Sequence, residues 1–287
     1  MEGQVCINGE LCAAADAKIS VFDRGFLYGD SAFEVMRTYG GEPFRERDHM
    51  LRLQGSCERL LIPVTSSLES WSRDVHRTIA ASGLPECYVR VMVTRGSGPL
   101  GLDLAQAHEP SVLVFALPLQ PPPPSVYEQG ITVGLCHVGR AVDGTRAAGA
   151  KTSNYLASLL ALHEVKQRGA AEAIVVAGNG EVVEGATSNV FVVRGGELIT
   201  PPVEAGILAG ITRLTVIELA ARHGIPLSAR RILPADLQLA DEVFITSSVR
   251  EVVPVVWVDK VQIGDGRPGP VTQQILRAYR ELTQTNA

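Results

Sequence analysis

The sequence predicts an α+β protein, because short strands occur in groups and the helical segments fall between those groups. Two-residue Gly-Gly or Asn-Gly turns separate apolar runs at positions 40–41, 179–180 and 195–196, a pattern typical of tight hairpins. Residues 173–200 are therefore expected to form a three-stranded antiparallel meander. Further apolar runs predict strands at 88–94, 111–117 and 241–246.

Helices are predicted where apolar residues recur every three or four positions. Met50, Leu53, Cys57 and Leu60 form one such stripe, and Asp48 is the expected N-cap of that helix. The other helices are expected at 68–79, 152–168, 211–223 and 271–282. The first three of these run into a glycine, the residue that most readily ends a helix.

The segment LPLQPPPPSVYEQG at 117–130 is the one break in composition. Four consecutive prolines lack N–H donors and favour an extended polyproline II conformation. We interpret residues 121–130 as a Pro-rich linker. It is expected to join a small N-terminal domain over 1–120 to a larger C-terminal domain over 131–287, both of ordinary domain size.

The composition excludes several classes of function. Lys and Arg number 26 and Asp and Glu number 31, so the net charge of −5 lacks the basic excess of a protein that binds nucleic acid or an anionic membrane. The chain shows neither a membrane-spanning apolar stretch nor a secretory signal, so we expect a cytoplasmic protein. Its five cysteines contain no C-x-x-C, and its six histidines, His108 among them, show no metal-ligand spacing, so no metal is expected.

Lys151 is the first candidate for chemistry, because it lies among small and apolar residues in GTRAAGAKTSNYLASLL. An ammonium group in apolar surroundings is costly unless it is paired or deprotonated. A lysine amine with a depressed pKa is the nucleophile of Schiff-base chemistry. The alternative is a surface lysine at a helix start, and the spacing alone leaves both interpretations open.

Two further patterns are compatible with binding an anion. GILAGITR at 206–213 is a glycine turn that leads directly into a predicted helix, where free backbone N–H groups can bind phosphate. Thr246, Ser247 and Ser248 end a predicted strand with three hydroxyl groups. A plain loop-to-helix junction and a polar loop are the ordinary alternatives.

Charged side chains at other positions suggest substrate or cofactor contacts. Strand periodicity places Tyr88 and Arg90 on one face, where an Arg fork could bind a carboxylate. Glu184, between Val183 and Gly185, could lie against a protonated ring nitrogen. Arg52 lies on the polar side of its predicted helix, for which a solvated face is the simpler explanation.

Seven motifs occur in one order along the chain: DRGFLYGDSAFEVMRTYGG, HMLRL, YVRVMVTRG, KTSNYLASLLALHEV, EGATSNVFVV, GILAGITR and TSSVREVVPV. Together they resemble the motif series of the fold-type IV pyridoxal 5'-phosphate enzymes, from residue 20 to about 258. That family includes branched-chain aminotransferases, D-amino-acid aminotransferases and aminodeoxychorismate lyases. The resemblance implies a small N-terminal α/β domain, a larger cofactor-binding domain, an active site between them, and a homodimer or higher homo-oligomer.

The resemblance also implies roles for individual residues. Lys151 matches the lysine that forms the Schiff base and moves the proton, and Glu184 matches the carboxylate that keeps the pyridine nitrogen protonated. Tyr155 matches the residue beside the cofactor's phenolic oxygen, and Leu208 the residue that packs on the ring. The phosphate cup corresponds to Arg52, Ile211, Thr212 and Ser248. Ser247 and Ser248 match the contact with the substrate α-carboxylate, and Tyr28 and Phe33 match the wall of the substrate pocket.

Within the family, Tyr88 and Arg90 match the Tyr-x-Arg of the branched-chain enzymes, which receives the side-chain carboxylate of glutamate. The D-specific enzymes place Arg and His after TRG, where this chain has Leu100 and Leu102. EGATSNVF and the short KTSNY instead resemble the D-specific and lyase branches. The leading hypothesis is transamination between a branched-chain type L-amino acid and 2-oxoglutarate. The alternatives are a D-amino-acid aminotransferase, an aminodeoxychorismate lyase, or a non-enzymatic binding protein on the same scaffold.

Overall fold

A computed structural model describes residues 2–64, 66–107, 109–137 and 144–285, with the backbone alone at Thr285. His108 lies outside the described residues. The chain divides into two compact units. The first contains the chain up to Gln120 together with Thr145–Asn154, and the second begins at Pro121 and includes Tyr155–Leu282. The sequence pattern assigns residues 145–154, with Lys151, to the C-terminal domain, whereas in the structure they pack with the first unit.

The described residues of the first unit form an antiparallel sheet with helices on it. The strands are β1 (Gln4–Ile7), β2 (Glu10–Ala13), β3 (Ser31–Tyr39), β4 (Glu42–Pro43), β5 (Cys87–Thr94) and β6 (Ser111–Pro118). The helices are α1 (Arg24–Tyr28), α2 (Glu46–Leu60) and α3 (Leu68–Ser82), with a 3-10 turn at Leu104–Gln106. The strand order is β2-β1-β6-β5-β3-β4. The core between the sheet and α2 and α3 includes Met36, Leu53, Trp71, Val75 and Val91.

The predicted alternation along β5 is confirmed, because every second residue from Cys87 to Val93 is buried and the residues between them are half-buried. Helix α3 ends, as predicted, before Gly83, whose φ of 64° is left-handed. The predicted cap of α2 is wrong: the helix begins at Glu46 behind Arg45, and Asp48 lies in its first turn. The apolar stripe does not mark this start because the first turn carries acidic residues, which suit the positive end of the helix dipole.

The second unit begins with α4 (Pro124–Gln129) and continues through a larger mixed sheet. Its strands are β7 (Ile131–His137), β8 (Glu172–Val176), β9 (Val182–Gly185), β10 (Asn189–Arg194), β11 (Glu197–Thr200), β12 (Leu227–Ala229), β13 (Glu242–Ser247), β14 (Glu251–Val258) and β15 (Val261–Gln262). The remaining helices are α5 (Leu156–Gln167), α6 (Ile211–Arg222), α7 (Pro234–Gln238) and α8 (Pro270–Thr285), with a 3-10 turn at Val203–Ala205. The strand order is β12-β11-β10-β13-β14-β7-β8-β9, and β15 pairs with β14.

The prolines after Gln120 are only in part the extended segment that we predict. Pro123 has φ −64° and ψ 153°, which is polyproline II geometry, but Pro124 is the first residue of α4. Proline is tolerated at this position because the N–H that it lacks would have no intrahelical partner. A short helix therefore occupies most of the predicted linker over 121–130.

The predicted three-stranded meander over 173–200 is wrong. Strand β8 pairs with β9, but the run that should continue into one long middle strand breaks between Gly185 and Asn189. The Gly185 amide donates to the Ser188 carbonyl at 2.7 Å, which closes a turn, and β10 then pairs with β11 and β13. The break places Glu184 at the end of one strand and Asn189 at the start of another.

No helix in the described ranges is long and apolar enough to span a bilayer. The same residues contain no group of three or more His, Cys, Asp or Glu side chains placed to hold a metal ion.

Candidate active site

Lys151 lies in an extended segment whose backbone pairs with the first residues of β3. Its amide N–H donates to Ser56 Oγ at 3.2 Å, and its carbonyl accepts the Phe33 N–H at 3.0 Å. Two residues later, the Ser153 N–H donates to the Ser31 carbonyl at 3.2 Å. The main chain of Lys151 is thus held on both sides, while its half-buried side chain takes no part in these bonds.

The helix predicted over 152–168 begins instead at Leu156 and ends at Gln167. The start differs because Thr152 forms a bridge with Ala32 of β3, so the backbone there is extended. Tyr155 takes the N-cap position of α5, with φ −91° and ψ 4° and no side-chain cap bond. The lysine therefore lies on a strand-like segment and not at a helix entrance.

Two cationic side chains approach the ring of Phe33. Lys151 Nζ lies 4.7 Å from the ring centroid, and the guanidinium carbon of Arg90 lies 4.0 Å from it. A cation within about 6 Å of an aromatic ring is attracted by the ring quadrupole. In the register of the sheet, Phe33 lies opposite Met92 and Arg90 lies opposite Val35, so Phe33 and Arg90 share one face. This face therefore brings an amine and a guanidinium to one apolar surface.

Tyr88 lies on the same face of β5 as Arg90, two residues away, as predicted. Tyr28, another predicted pocket residue, accepts a hydrogen bond from the Gly101 N–H to its hydroxyl at 3.2 Å. The guanidinium of Arg24 lies 5.1 Å from the Tyr28 ring and donates to the Gly101 carbonyl at 2.9 Å. These contacts fix the Tyr28 phenol against the loop that carries Leu100 and Leu102.

A buried ion pair joins β3 to α2. Both oxygens of the fully buried Glu34 accept from Arg52: Nε donates to Oε1 at 2.7 Å and Nη2 donates to Oε2 at 2.6 Å. His49 Nδ1 lies 2.7 Å from Glu34 Oε2. Burial alone would raise the pKa of Glu34, but the charge and hydrogen bonds of Arg52, followed by those of His49, lower that pKa to about 2. Burial lowers the pKa of His49, so its ring is neutral at pH 7.

Acid is expected to destabilise the protein partly through Glu34. Because the pKa of Glu34 falls from 4.5 unfolded to about 2 folded, its contribution is present above pH 4.5 and is lost as the pH falls towards 2. At pH 7 this pKa difference contributes roughly 3 kcal/mol to the free energy of unfolding. The lowered pKa of His49 also reduces stability as the pH falls. It does so at a higher pH than Glu34, because His49 takes up a proton in the unfolded chain before it does so in the folded one.

The measurement is the free energy of unfolding in urea from pH 7 to pH 2.5, for the wild type and for Glu34→Gln. The gap between the two proteins should narrow as the pH drops below 4.5, because protonation makes wild-type Glu34 resemble glutamine. A gap that stays constant over this range would contradict the lowered pKa.

In the second unit, Glu184 and Asn189 hold the loop before α6. Glu184 Oε2 accepts the Leu208 N–H at 3.0 Å, and Asn189 Nδ2 donates to the Leu208 carbonyl at 2.9 Å. A Cβ added to Gly210 would lie 1.9 Å from Asn189 Oδ1, so a larger residue there would displace the Asn189 side chain. The break between β9 and β10 therefore places two side chains that clamp the backbone of Leu208 from both sides.

Helix α6 begins at Ile211 without a side-chain cap. Its N-cap is Gly210, and its first turn contains no acidic residue. Ile211 and Thr212 are buried. The first amide groups of a helix have no intrahelical acceptor and carry the positive end of the helix dipole, so an anion is favoured at this position. The predicted helix over 211–223 is confirmed to within one residue.

Hydrogen bonds from Arg250 hold the turn after β13 in place, a role that was not predicted from the sequence. Arg250 Nε donates to Ser247 Oγ at 3.1 Å, and Arg250 Nη2 donates to Glu172 Oε2 and to Thr187 Oγ1, each at 2.7 Å. Glu172 is fully buried. Ser247 and Ser248 are half-buried and lie three and two residues before this arginine. The turn is thus connected both to the start of β8 and to the bend before β10.

The structure places the predicted residues in two sets, each within one unit. The first unit holds Tyr28, Phe33, Arg52, Tyr88, Arg90 and Lys151, and the second holds Tyr155, Glu184, Leu208, Ile211, Thr212, Ser247 and Ser248. Sequence reasoning paired Asn189 with Glu184 but missed three other supporting side chains: Glu34, His49 and Arg250. A signal existed for Glu34 alone, because a carboxylate interrupts the apolar run Ala-Phe-Glu-Val-Met.

The family model for class IV amino-transferases matches residues 31–258. The branched-chain-amino-acid aminotransferase of Escherichia coli K12 is 35% identical over 286 residues, which cover 96% of this chain and 91% of the relative. The D-alanine aminotransferase of Bacillus licheniformis is 30% identical over 277 residues, which cover 96% of each chain.

Solved structures are similar over the whole chain. The crystal structure of the E. coli branched-chain amino acid aminotransferase has a TM-score of 0.94 at 34% identity and covers 100% of this chain and 96% of its own. The T.th. branched-chain amino acid aminotransferase, complexed with N-(5'-phosphopyridoxyl)-L-glutamate, has a TM-score of 0.92 at 29% identity, with coverage of 100% and 96%.

Proposed function

The chain belongs to the class IV aminotransferase family, and from this membership we propose that it catalyses transamination between a branched-chain type L-amino acid and 2-oxoglutarate with pyridoxal 5'-phosphate as cofactor. The observation that carries the proposal is the pair of cations on Phe33. Lys151 supplies an amine and Arg90 a guanidinium at 4.7 Å and 4.0 Å from one apolar ring. The two half-reactions use substrates with a hydrophobic and with a carboxylate side chain, so a pocket that accepts both requires such a mixed surface.

The side chains of each unit fit a phosphorylated pyridine aldehyde. In the first unit, the Lys151 amine is half-buried and its backbone is fixed, so a carbonyl group can react with a positioned nucleophile. In the second, the uncapped start of α6 suits a phosphate, and the oriented carboxylate of Glu184 suits a protonated ring nitrogen. The phosphopyridoxyl ligand of the T.th. enzyme supports the same cofactor here.

We propose that the cofactor is held by Arg52, Lys151, Tyr155, Glu184, Leu208, Ile211, Thr212, Ser247 and Ser248. When bound, pyridoxal phosphate supplies an electron sink for the carbanion at the substrate α-carbon. Lys151 Nζ would accept the proton from the α-carbon of the donor in one half-reaction and would deliver a proton to the α-carbon of the acceptor in the other. Glu184 favours the protonated form of the pyridine nitrogen, and the amide groups at the start of α6 bind the phosphate.

For the substrate, we propose that Tyr28 and Phe33 form the wall against the side chain, and that Tyr88 and Arg90 bind a side-chain carboxylate. The position of Arg90 on the Phe33 face of the sheet and its contact with the Phe33 ring support this role. The E. coli relative, a branched-chain enzyme, supports the assignment. The D-alanine aminotransferase relative supports the alternative of a D-specific enzyme. Against that alternative, Leu100 and Leu102 are exposed apolar side chains where an anion-binding pair is expected.

We further propose a homodimer or larger homo-oligomer in the cytoplasm. Exposed apolar side chains of the first unit, which include Val21, Phe22, Phe26, Leu100 and Leu102, would favour association. The five cysteines are free thiols, which suits a reducing compartment. Sedimentation equilibrium of the purified protein would give its mass in solution, and a monomer at micromolar concentration would contradict the proposal.

The test of the proposed function is a panel of L- and D-amino acids incubated with the purified protein and pyridoxal phosphate. Conversion of the bound cofactor to pyridoxamine 5'-phosphate is followed by its absorbance. Leucine, valine, isoleucine and L-glutamate are expected to drive the conversion, and D-alanine is not. Conversion by D-amino acids alone would favour the D-specific alternative, and release of pyruvate from aminodeoxychorismate would favour the lyase.

Arg90→Ala is expected to weaken the half-reaction with glutamate or 2-oxoglutarate by about 10-fold to 100-fold, while leucine is affected far less. The reason is that a hydrogen bond to a charged group contributes roughly 1.5–3 kcal/mol. Single-turnover rates with each substrate measure the difference. Arg37→Ala is the matched control. The guanidinium carbon of Arg37 lies 4.3 Å from the centroid of the Tyr39 ring, and Tyr39 lies on β3, as Phe33 does. Equal losses in both half-reactions would mean that Arg90 acts on folding or cofactor binding.

A further inference from the structure

We infer that Glu34 is a positioning residue that orients Arg52 for the phosphate group of the cofactor, an inference that rests on the proposed function. Three features carry it: the burial of Glu34, the geometry of its pair with Arg52, and the contact by which His49 fixes the carboxylate.

Glu34 occupies a position that otherwise suits an apolar residue. It lies on the core-facing side of β3, in alternation with Ala32 and Met36, and all three side chains are fully buried. Burying a carboxylate is costly, and apolar residues of similar size often stabilise a core as well as a buried ion pair does. Stability alone therefore gives little reason for a charged pair at this position, and a role in orienting Arg52 gives a specific one.

The pair fixes the plane of the Arg52 guanidinium. The two donors to Glu34 are Nε and Nη2, so the carboxylate binds one edge of the planar group in a bidentate fork. The guanidinium has five N–H donors in a rigid arrangement, and the fork directs the remaining ones along its other edge. Arg52 is 14% exposed, whereas Arg95, which has a similar pair with Asp30, is 2% exposed. Arg52 can therefore be reached by a solute.

His49 fixes the carboxylate in turn. Its Nδ1 contacts Glu34 Oε2, so both Glu34 oxygens are engaged and the carboxylate cannot rotate without breaking a bond. Because Glu34 stays ionised at neutral pH, the orientation of Arg52 persists over the range in which the enzyme is expected to work. Burial lowers the pKa of His49, the carboxylate of Glu34 raises it, and Arg52 and Lys151 lower it, so the pKa is lowered on balance.

The experiment compares binding of pyridoxal 5'-phosphate with binding of pyridoxal, which lacks the phosphate, by equilibrium dialysis. The wild type should prefer the phosphorylated compound. Glu34→Gln should reduce this preference about 10-fold or more, because a misaligned guanidinium loses a charge-assisted hydrogen bond, while pyridoxal binding stays within about twofold. Arg52→Ala should lose the same preference, and the double variant should lose no more than Arg52→Ala, because Glu34 acts through Arg52.

Glu86→Gln is the matched control. Glu86 accepts hydrogen bonds from Thr38 Oγ1 and from the Gly40 N–H at 2.7 Å, at the other end of β3 from Glu34. This variant should be less stable to heat yet keep the wild-type preference. If Glu34→Gln does not fold, Glu34→Asp retains the charge but shortens its reach, and it should show a partial loss of preference.

Three outcomes would overturn the inference. Equal loss of pyridoxal and pyridoxal phosphate binding in both Glu34 variants would make Glu34 a purely structural residue. Retention of the preference in those variants, with its loss in Arg52→Ala, would leave the proposed function standing and remove the role of Glu34. A wild type that binds neither compound would remove the proposed function together with the inference.

Discussion

Lys151→Ala is expected to lose essentially all turnover and still fold. The side chain is the proposed nucleophile and proton carrier, and general acid–base work alone is worth about 10²-fold to 10⁴-fold. Folding should be preserved because the bonds from Lys151 to Ser56 and Phe33 involve its amide and carbonyl, which alanine retains. Steady-state rates with L-leucine and 2-oxoglutarate measure turnover, and circular dichroism with thermal melting checks the fold.

Covalent attachment gives an independent measurement for this variant. After reduction with borohydride, the mass of the wild-type chain should increase by that of the reduced cofactor, and the mass of Lys151→Ala should not. Lys166→Ala, which removes an exposed lysine on α5, is the control and should behave as the wild type. Wild-type turnover in Lys151→Ala would be incompatible with the proposed function.

Glu184→Gln is expected to lower turnover by about 100-fold or more while the cofactor still binds. Glutamine can accept the Leu208 N–H in place of Glu184 Oε2, so the loop before α6 should keep its position. The variant removes only the negative charge, and preorganised electrostatic groups of this kind are typically worth about 10²-fold to 10³-fold in rate. Turnover and the dissociation constant of the cofactor are measured on the same preparation.

The control for Glu184 lies in the same hairpin. Glu181 pairs with the exposed Arg231 at 3.1 Å, and Glu181→Gln should leave turnover within about twofold because surface ion pairs contribute little. Full activity in Glu184→Gln would mean that this carboxylate only anchors Leu208.

Much of the fold could be predicted because its signals are local. The alternation along β5 and the glycine after α3 are read from neighbouring residues, and both are confirmed. The meander over 173–200 fails because a bond from Gly185 to Ser188 breaks the run and β10 takes β13 as its partner. The start of α5 fails for a similar reason, since residues near Lys151 pair with a strand more than a hundred positions earlier in the chain.

The residues of the candidate site divide in the same way, into those with a local sequence signal and those whose role depends on a distant partner. Lys151 and Glu184 stand within motifs, so the sequence could indicate them. Glu34 and Arg250 also stand within motifs, but the motifs do not show their roles, because each acts through a partner that is distant in sequence. Arg52 is 18 residues from Glu34, and Glu172 is 78 residues from Arg250. Such pairs are created by the packing of α2 on β3 and by the arrangement of the second sheet, which no local pattern encodes.

The pairing of the Lys151 segment with β3 makes the location of the lysine independent of the length of the chain that follows it. Insertions or deletions between Ser153 and Leu156 change where α5 starts, but the bonds to Ser31 and Phe33 keep the lysine in register with the sheet. Loop length here can therefore drift during evolution, or be changed by design, without moving the reactive amine. A library altered at Asn154, with Tyr155 kept for its proposed contact with the cofactor, would reshape the surroundings of the amine without moving its backbone.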